Sequence, residues 1–454
     1  MTSARRVLSL VPAIAGVLAL VPGSAAAAAR SCVISTAQMA TATPSAPPLR
    51  FGIYPGGPAG SVNPKAPPRP EDPAKRLGAL QGLRGDQPFV VRLYSGWTGD
   101  ARTDDVSGWL DDEIRQYTAA GLEVELAVRY KPDAADAGTS PAAFAEYVRG
   151  LVRRYGADPG FTSLQVTNEA NLTGAPGASD GAFAGAARAL VAGVIAAKDE
   201  ARGDGYQQLR VGFNWAYDER PAASSAFWQQ LGRIGGATFA RSVDWVGLDS
   251  YPGTWSPQLA LSPIVPARAA AAVQDALRTL RDCYLPMAGI GRSATLHVAE
   301  NGFPTAAGRG DDMQADVLEA MVRAVDAVRA AYGVSDYRWF DLRDSSTADE
   351  SIESHYGITR DDYTPKPAYG VYRDLIAELG AGARPTPRLR SASLVARAGR
   401  CIAGRVKVAV TRRSGRKVAA FTVRVRRRVP HVLALSLPSG RARAHVLRKR
   451  PGAC

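Results

Sequence analysis

Histidine and cysteine are scarce in this chain, four of each among 454 residues. The histidines are scattered, and neither an H-x-x-x-H nor a C-x-x-C spacing occurs. A zinc centre draws its ligands from such clusters, so no metal is expected, and nothing in the sequence calls for another cofactor. A phosphate-binding glycine turn is also missing. "YPGGPAGS" (54–61) has the glycines but runs into "VNPKAPPRP", which cannot start a helix, so a dinucleotide-binding open sheet is not supported. Beyond the N-terminal thirty residues no apolar run is long enough to span a bilayer. Aspartate and glutamate are absent from Pro385 to Cys454.

That last absence redistributes the charge. The formal net charge is +14, yet 19 of the 56 lysines and arginines lie in the acid-free tail. The remainder holds 37 basic and 42 acidic residues, a net of −5. Basicity therefore belongs to the tail and not to the main body. The tail alternates with period two, with turns at "RSGR" and "PSGR", and predicts a small antiparallel β-domain over 388–454. Its arginines are shared along strand faces, which argues against nucleic acid as a partner. An anionic cell-wall polymer is the partner such a surface could hold.

The start of the chain has Arg5 and Arg6, the apolar "VLSLVPAIAGVLALVPG" and then "SAAAAAR". A charged start, a short apolar middle and a small-residue exit predict an export signal over 1–29. The run is short for a membrane anchor and contains Pro12 and Pro22. The mature protein is expected to begin near Ala27 to Arg30, to carry no transmembrane segment, and to be secreted or held at the cell surface. Residues 30–49 are a Pro-rich lead-in. Disulfides suit that compartment, and of three possible pairings Cys32–Cys283 with Cys401–Cys454 is preferred.

From Arg50 onward, apolar β-branched runs alternate with helical patterns. The runs are "RFGIYPG", "FVVRLYSG", "LEVELAVRY", "FTSLQVTNE", "LRVGFNWAY", "VDWVGLDSYP", "ATLHVAENGF" and "DYRWFDLRD". The patterns between them include "DDVSGWLDDEIRQYTAAG", "SPAAFAEYVRGLVRRYG", "DGAFAGAARALVAGVIAAKDEARGDG" and "DDMQADVLEAMVRAVDAVRAAYG". Eight strand–helix repeats over 50–382 predict an α/β fold, a (β/α)8 TIM barrel.

Active sites of such barrels lie at the C-terminal ends of the strands. There the sequence has Arg92, Asn168-Glu169, Asn214-Trp215, Asp249 with Tyr251, Glu300 and Trp339. A carboxylate thus ends each of two well-separated strands. With "TNEAN" on the fourth and "AENGF" on the seventh, the chain resembles the clan A glycoside hydrolases, retaining (β/α)8 glycosidases with Asn-Glu on strand four and Glu on strand seven. "GITRDDYTPKPAYGVYRDL" is similar to their closing segment.

The resemblance implies an exported retaining β-glycoside hydrolase acting on a polysaccharide or oligosaccharide by double displacement. Glu169 would be the acid/base and Glu300 the nucleophile. Asn168 would bind the sugar 2-hydroxyl, Tyr251 would orient Glu300, Arg92 would keep Glu300 ionised, and Trp339 would form a stacking floor. Asn214, at the end of the fifth strand, joins them as a substrate-binding candidate. The alternative is a barrel displayed at the cell surface that binds glycan without cutting it, against which both carboxylates argue. Two departures blur the branch. Ala170 stands where Pro is common, and "RYKP" ends the third strand where some branches carry His. "VVRLYSG" and "ENGFPT" lean toward branches that cut β-1,3-glucans, but two short matches do not decide a substrate.

Overall fold

The computed structural model describes residues 47–56, 66–99, 102–103, 108–133, 140–255, 266–306 and 308–381, with the backbone of five strand segments between 392 and 448. Eight parallel strands close into a barrel. They are β1 (Arg50–Ile53), β2 (Phe89–Gly99), β3 (Glu123–Tyr130), β4 (Phe161–Val166), β5 (Arg210–Ala216), β6 (Trp245–Ser250), β7 (Thr295–Asn301) and β8 (Val334–Trp339). Each pairs with its sequence neighbours. Closure comes at β1, where Phe51 lies opposite Phe89 on one side and Tyr337 on the other. The strands read as nearly unbroken apolar runs because both faces are covered, one by the barrel interior and one by helices. All six residues of β6 are buried.

The helices are α1 (Pro73–Arg84), α2 (Trp109–Ala119), α3 (Ser140–Tyr155), α4 (Ala186–Gly203), α5 (Pro221–Ser242), α6 (Pro266–Thr279), α7 (Asp311–Tyr332) and α8 (Pro367–Leu379). Local chemistry sets their ends. Asp72 accepts from the backbone N–H groups of Ala74 and Lys75 and caps α1, whose first residue is proline. Phe144, Val148, Leu151, Val152 and Tyr155 form the buried stripe of α3. Gly333, with φ 66°, ends α7 in the left-handed region.

Two helices begin later than their sequence patterns. The pattern "DGAFAGAARALVAGVIAAKDEARGDG" starts at Asp180, but α4 starts at Ala186 after a short 3-10 turn over Asp180–Ala182. The Asp180 carboxylate is committed elsewhere: it accepts from the backbone N–H groups of Tyr130 and Asn168 at 2.7 and 2.8 Å. Gly185, with φ 89°, then resets the chain direction. Helix α2 begins at Trp109, and the acidic lead of its pattern at 104–107 lies outside the described residues.

In the tail, Ile402–Thr411 pairs antiparallel with Lys417–Val429 and with Arg443–Arg448, and Ala392–Leu394 pairs antiparallel with Leu433–Leu435. The expected export signal, Cys32, Cys401 and Cys454 lie outside the described residues, and with them both expected disulfides. Among the described residues no helix is long and apolar enough to cross a membrane.

Candidate active site

A cleft of about 510 Å³ opens at the C-terminal ends of the strands. Glu169 enters it just beyond β4, Asp249 from β6 and Glu300 from β7. One carboxylate oxygen of each lies within 4.8 Å of the others.

Glu169 reaches the cleft through an irregular strand end. Thr167 and Glu169 adopt φ of 65° and 49°, a region that costs a non-glycine residue energy and persists only where neighbours over-determine it. Here they do. The N–H of Thr167 donates to Val128 O, that of Asn168 to Asp180, and that of Glu169 to Asn214 Oδ1 at 2.8 Å. Glu169 is 9% exposed, and its carboxyl accepts from Ser179 Oγ at 2.5 Å. Burial first, then the negative charge of Glu300, pushes its pKa up to about 8.

Glu300 sits among donors. Its Oε1 accepts from the Tyr94 hydroxyl and from Arg92 Nη2 at 3.2 Å, and its Oε2 accepts from the Tyr251 hydroxyl at 2.7 Å. Arg92 is itself buried, and its other arm donates to Glu125 Oε1 at 2.7 Å. Burial alone would raise the pKa of Glu125, but Arg338, His297 and Arg92 outweigh it and hold the carboxyl well below the usual range. A charged layer inside the barrel thus anchors the guanidinium beneath Glu300. His297 belongs to that layer, stacked on Trp245 at 4.2 Å and away from the cleft.

Asp249 is the third acid. Its Oδ2 accepts from Asn214 Nδ2, and its Oδ1 has no hydrogen-bond partner among the described residues. Burial, then the charges of Glu300 and Glu169, pushes its pKa well above the carboxylate range. Three such acids could in principle hold a cation. Both oxygens of Glu300 and one of Glu169 are already taken by hydroxyl and guanidinium donors, so the arrangement suits carboxyls that differ in protonation.

The cleft brings together Glu169, Glu300, Asn168 and Tyr251 at its lining, with Arg92 directly beneath. Asn168 donates to Ala178 O at 3.0 Å and accepts from Gln165 and Asn214. Two expectations need correction. Asn214 is fully buried behind the cleft, where it ties Glu169, Asn168 and Asp249 together, so it is a support and not a sugar contact. Trp339 is 0% exposed and cannot stack on a sugar. The aromatic surface comes from its neighbour Phe340, stacked on Tyr54 at 5.0 Å, with Tyr251 and Tyr356 edge-on.

Trp255, 49% exposed, overhangs the mouth and donates to the Tyr356 hydroxyl. Gly302 lets this cluster close, since a Cβ there would meet Phe340 O at 2.3 Å and Tyr251 at 3.0 Å. Tyr94 went unrecognised in the sequence, although period two from Arg92 puts it on the same face. Ser179 and Asp180 lie in a loop and left no periodic signal.

No family model matches the sequence, and no curated protein does. Solved structures do match by shape. A family 39 glycoside hydrolase from the gut symbiont Bacteroides cellulosilyticus WH2 superposes with a TM-score of 0.53 at 15% identity, over 86% of this chain and 79% of that one. A family 5 subfamily 18 glycoside hydrolase from Bifidobacterium longum subsp. longum gives 0.51 at 15% identity, over 73% and 79%. Its counterpart from Streptomyces cattleya, solved in complex with GlcNAc, gives 0.51 at 17% identity, over 76% and 83%. At these identities the likeness concerns the fold alone: the chain shares the (β/α)8 barrel of these three structures.

Proposed function

We propose that this chain is an exported retaining β-glycoside hydrolase that cleaves a polysaccharide or oligosaccharide by double displacement. The observation that carries the reading is the Glu169–Glu300 pair. An oxygen of one carboxyl lies within 4.8 Å of an oxygen of the other, a proximity compatible with the separation of about 5–5.5 Å between carboxyl groups that suits direct attack, whereas inverting enzymes leave about 6.5–9.5 Å for a water. Their surroundings also differ in kind. Burial and the charge of Glu300 push the Glu169 carboxyl up to about 8, favouring its protonated form at pH 7, while Glu300 accepts from Tyr94, Tyr251 and Arg92.

In the first step a Glu300 oxygen attacks the anomeric carbon as Glu169 gives its proton to the departing oxygen. The glycosidic bond breaks and a glycosyl ester on Glu300 forms. Glu300 has then lost its negative charge, and with it goes the second cause of the raised pKa of Glu169. Glu169, now a carboxylate, takes a proton from water, whose oxygen attacks the anomeric carbon and frees Glu300. Phe340 and Trp255 offer apolar faces for sugar rings.

The test is product release from β-glucans, mannans, xylans and galactans by the wild type and by Glu300→Gln, with the first-formed anomer read by proton NMR. Retained configuration and a dead variant support the reading. Equal turnover by both chains removes Glu300 as nucleophile. Binding without cleavage by the wild type favours the glycan-binding alternative.

Export, the Cys32–Cys283 and Cys401–Cys454 disulfides and a small basic β-domain over 388–454 are parts of the same proposal. N-terminal sequencing of secreted protein should begin near Ala27 to Arg30, and thiol titration should find no free cysteine. If the tail holds an anionic cell-wall polymer, the whole chain partitions to cell envelopes at low salt and is released as salt screens the contact. A tail-deleted chain that partitions equally well would remove that role.

A further inference from the structure

Strand β3 runs out in Arg129-Tyr130-Lys131-Pro132, a stretch that the double displacement does not use. Period two along the strand sends Glu125, Ala127, Arg129 and Lys131 to one side. Glu125 lies in the charged layer under the cleft, and Arg129 and Lys131, higher on the same side, line the cleft itself. The charged groups of the lining are these two cations, the three central carboxyls and Glu353, on the loop after β8.

The two cations differ. Arg129 is tied down, with Nε donating to Asp180 at 3.0 Å and Nη1 to Gly177 O at 2.7 Å, and Asp180 answers its charge. Lys131 is anchored by its backbone N–H to Trp97 O at 2.9 Å. Its ammonium meets no carboxylate and no other acceptor among the described residues. A half-buried ammonium in a cleft, without a counter-charge, favours an anion brought by the ligand.

Its position says which part of the ligand. Strand β3 is hydrogen-bonded to β4, beyond which Glu169 stands, and lies across the barrel from β7, which carries Glu300. Glu169 serves the departing oxygen, so the β3 wall borders the leaving-group side. The acid-free tail, with 19 basic residues, is a second and independent feature suited to an acidic polymer.

We propose that Lys131 binds an anionic group on the leaving-group sugar, so that the substrate is an acidic glycan bearing a uronate carboxylate or a sulfate ester. The inference rests on the glycosidase reading for its assignment of sides. A binding experiment separates the two. Full-length Glu300→Gln protein is titrated with oligosaccharides matched except for a neutral, C6-carboxylate or sulfated sugar, and the titrations are repeated with Glu300→Gln/Lys131→Gln.

The proposal expects the carboxylate or the sulfate form to bind at least roughly tenfold more tightly than the neutral one at low salt, as a charge-assisted contact provides, and expects the second substitution to abolish the preference. Whichever anion is preferred identifies the group. Equal binding of all three, or a preference that survives Lys131→Gln, overturns it. Wild-type turnover of the three oligosaccharides tests the glycosidase reading separately, and its outcome leaves the binding comparison standing.

Discussion

Asn214 donates its side-chain amide to Asp249 Oδ2 and, through its Oδ1, receives the backbone N–H of Glu169 at 2.8 Å. One buried amide thus couples the strand ends that carry two of the three central carboxyls. Replacing it with alanine leaves the left-handed Glu169 backbone short of an acceptor and Asp249 short of a donor. Asn214→Ala is expected to lower kcat by roughly 10–100-fold, with a smaller change in KM, and to destabilise the fold by about 1–3 kcal/mol. Steady-state kinetics with chemical denaturation checks both, and a KM-only defect would mean that Asn214 touches substrate after all.

Tyr94 and Tyr251 each donate one hydrogen bond to Glu300. Hydrogen bonds to a charged group contribute about 1.5–3 kcal/mol, so Tyr94→Phe and Tyr251→Phe should each reduce kcat/KM by roughly 10–150-fold. The double variant should fall short of the product of the single effects, because the two hydroxyls serve one carboxylate. Full additivity would argue that they act on different steps.

The raised pKa of Glu169 has two signatures. In its proposed role as the acid it must carry its proton, so kcat/KM is expected to fall as pH rises through about 8. Stability moves the same way. Between the unfolded pKa of about 4.3 and the folded value of about 8 the native state holds a proton that the unfolded chain has lost, so stability declines across that window as pH rises. Glu169→Gln has no such proton to lose. At pH 8 it should be more stable than the wild type by on the order of 1–4 kcal/mol, although its rate with unactivated substrates falls by about 10²–10⁴-fold. Melting curves of both chains from pH 4 to 9 give the answer, and parallel curves would contradict the assignment.

Burial and the charges of Glu300 and Glu169 shift Asp249 toward its protonated form, which an amide should imitate. Asp249→Asn is expected to keep activity within about tenfold, while Asp249→Ala, which leaves the Asn214 amide without its acceptor, should lose at least about 100-fold. An asparagine variant as damaged as the alanine variant would indicate that the ionised form of Asp249 takes part.

Much of the barrel was legible because its signals are local. Each strand is an apolar, β-branched run, and the helices α3 and α7 carry their buried stripes and stop signals in the chain itself. The strand-end carboxyls Glu169 and Glu300 were legible for the same reason, since a charged residue at the tip of a buried run stands out. The late start of α4 was not. Its pattern is helical from Asp180, and only the docking of that carboxylate onto the backbone of Tyr130 and Asn168 removes the first turns.

By itself, then, the sequence determined eight strand–helix units and which residues arrive at the C-terminal rim, because hydrophobic period and chain order are properties of neighbours along the chain. The tertiary structure decided which of those residues face the cleft. Period two predicts a face only while the register is unbroken. The β6–β7 pairing slips between Leu248 and Asp249, so that Asp249 comes to lie opposite Glu300. A shift of one residue exchanges the faces of a strand, and such a shift is set by contacts between segments far apart in sequence.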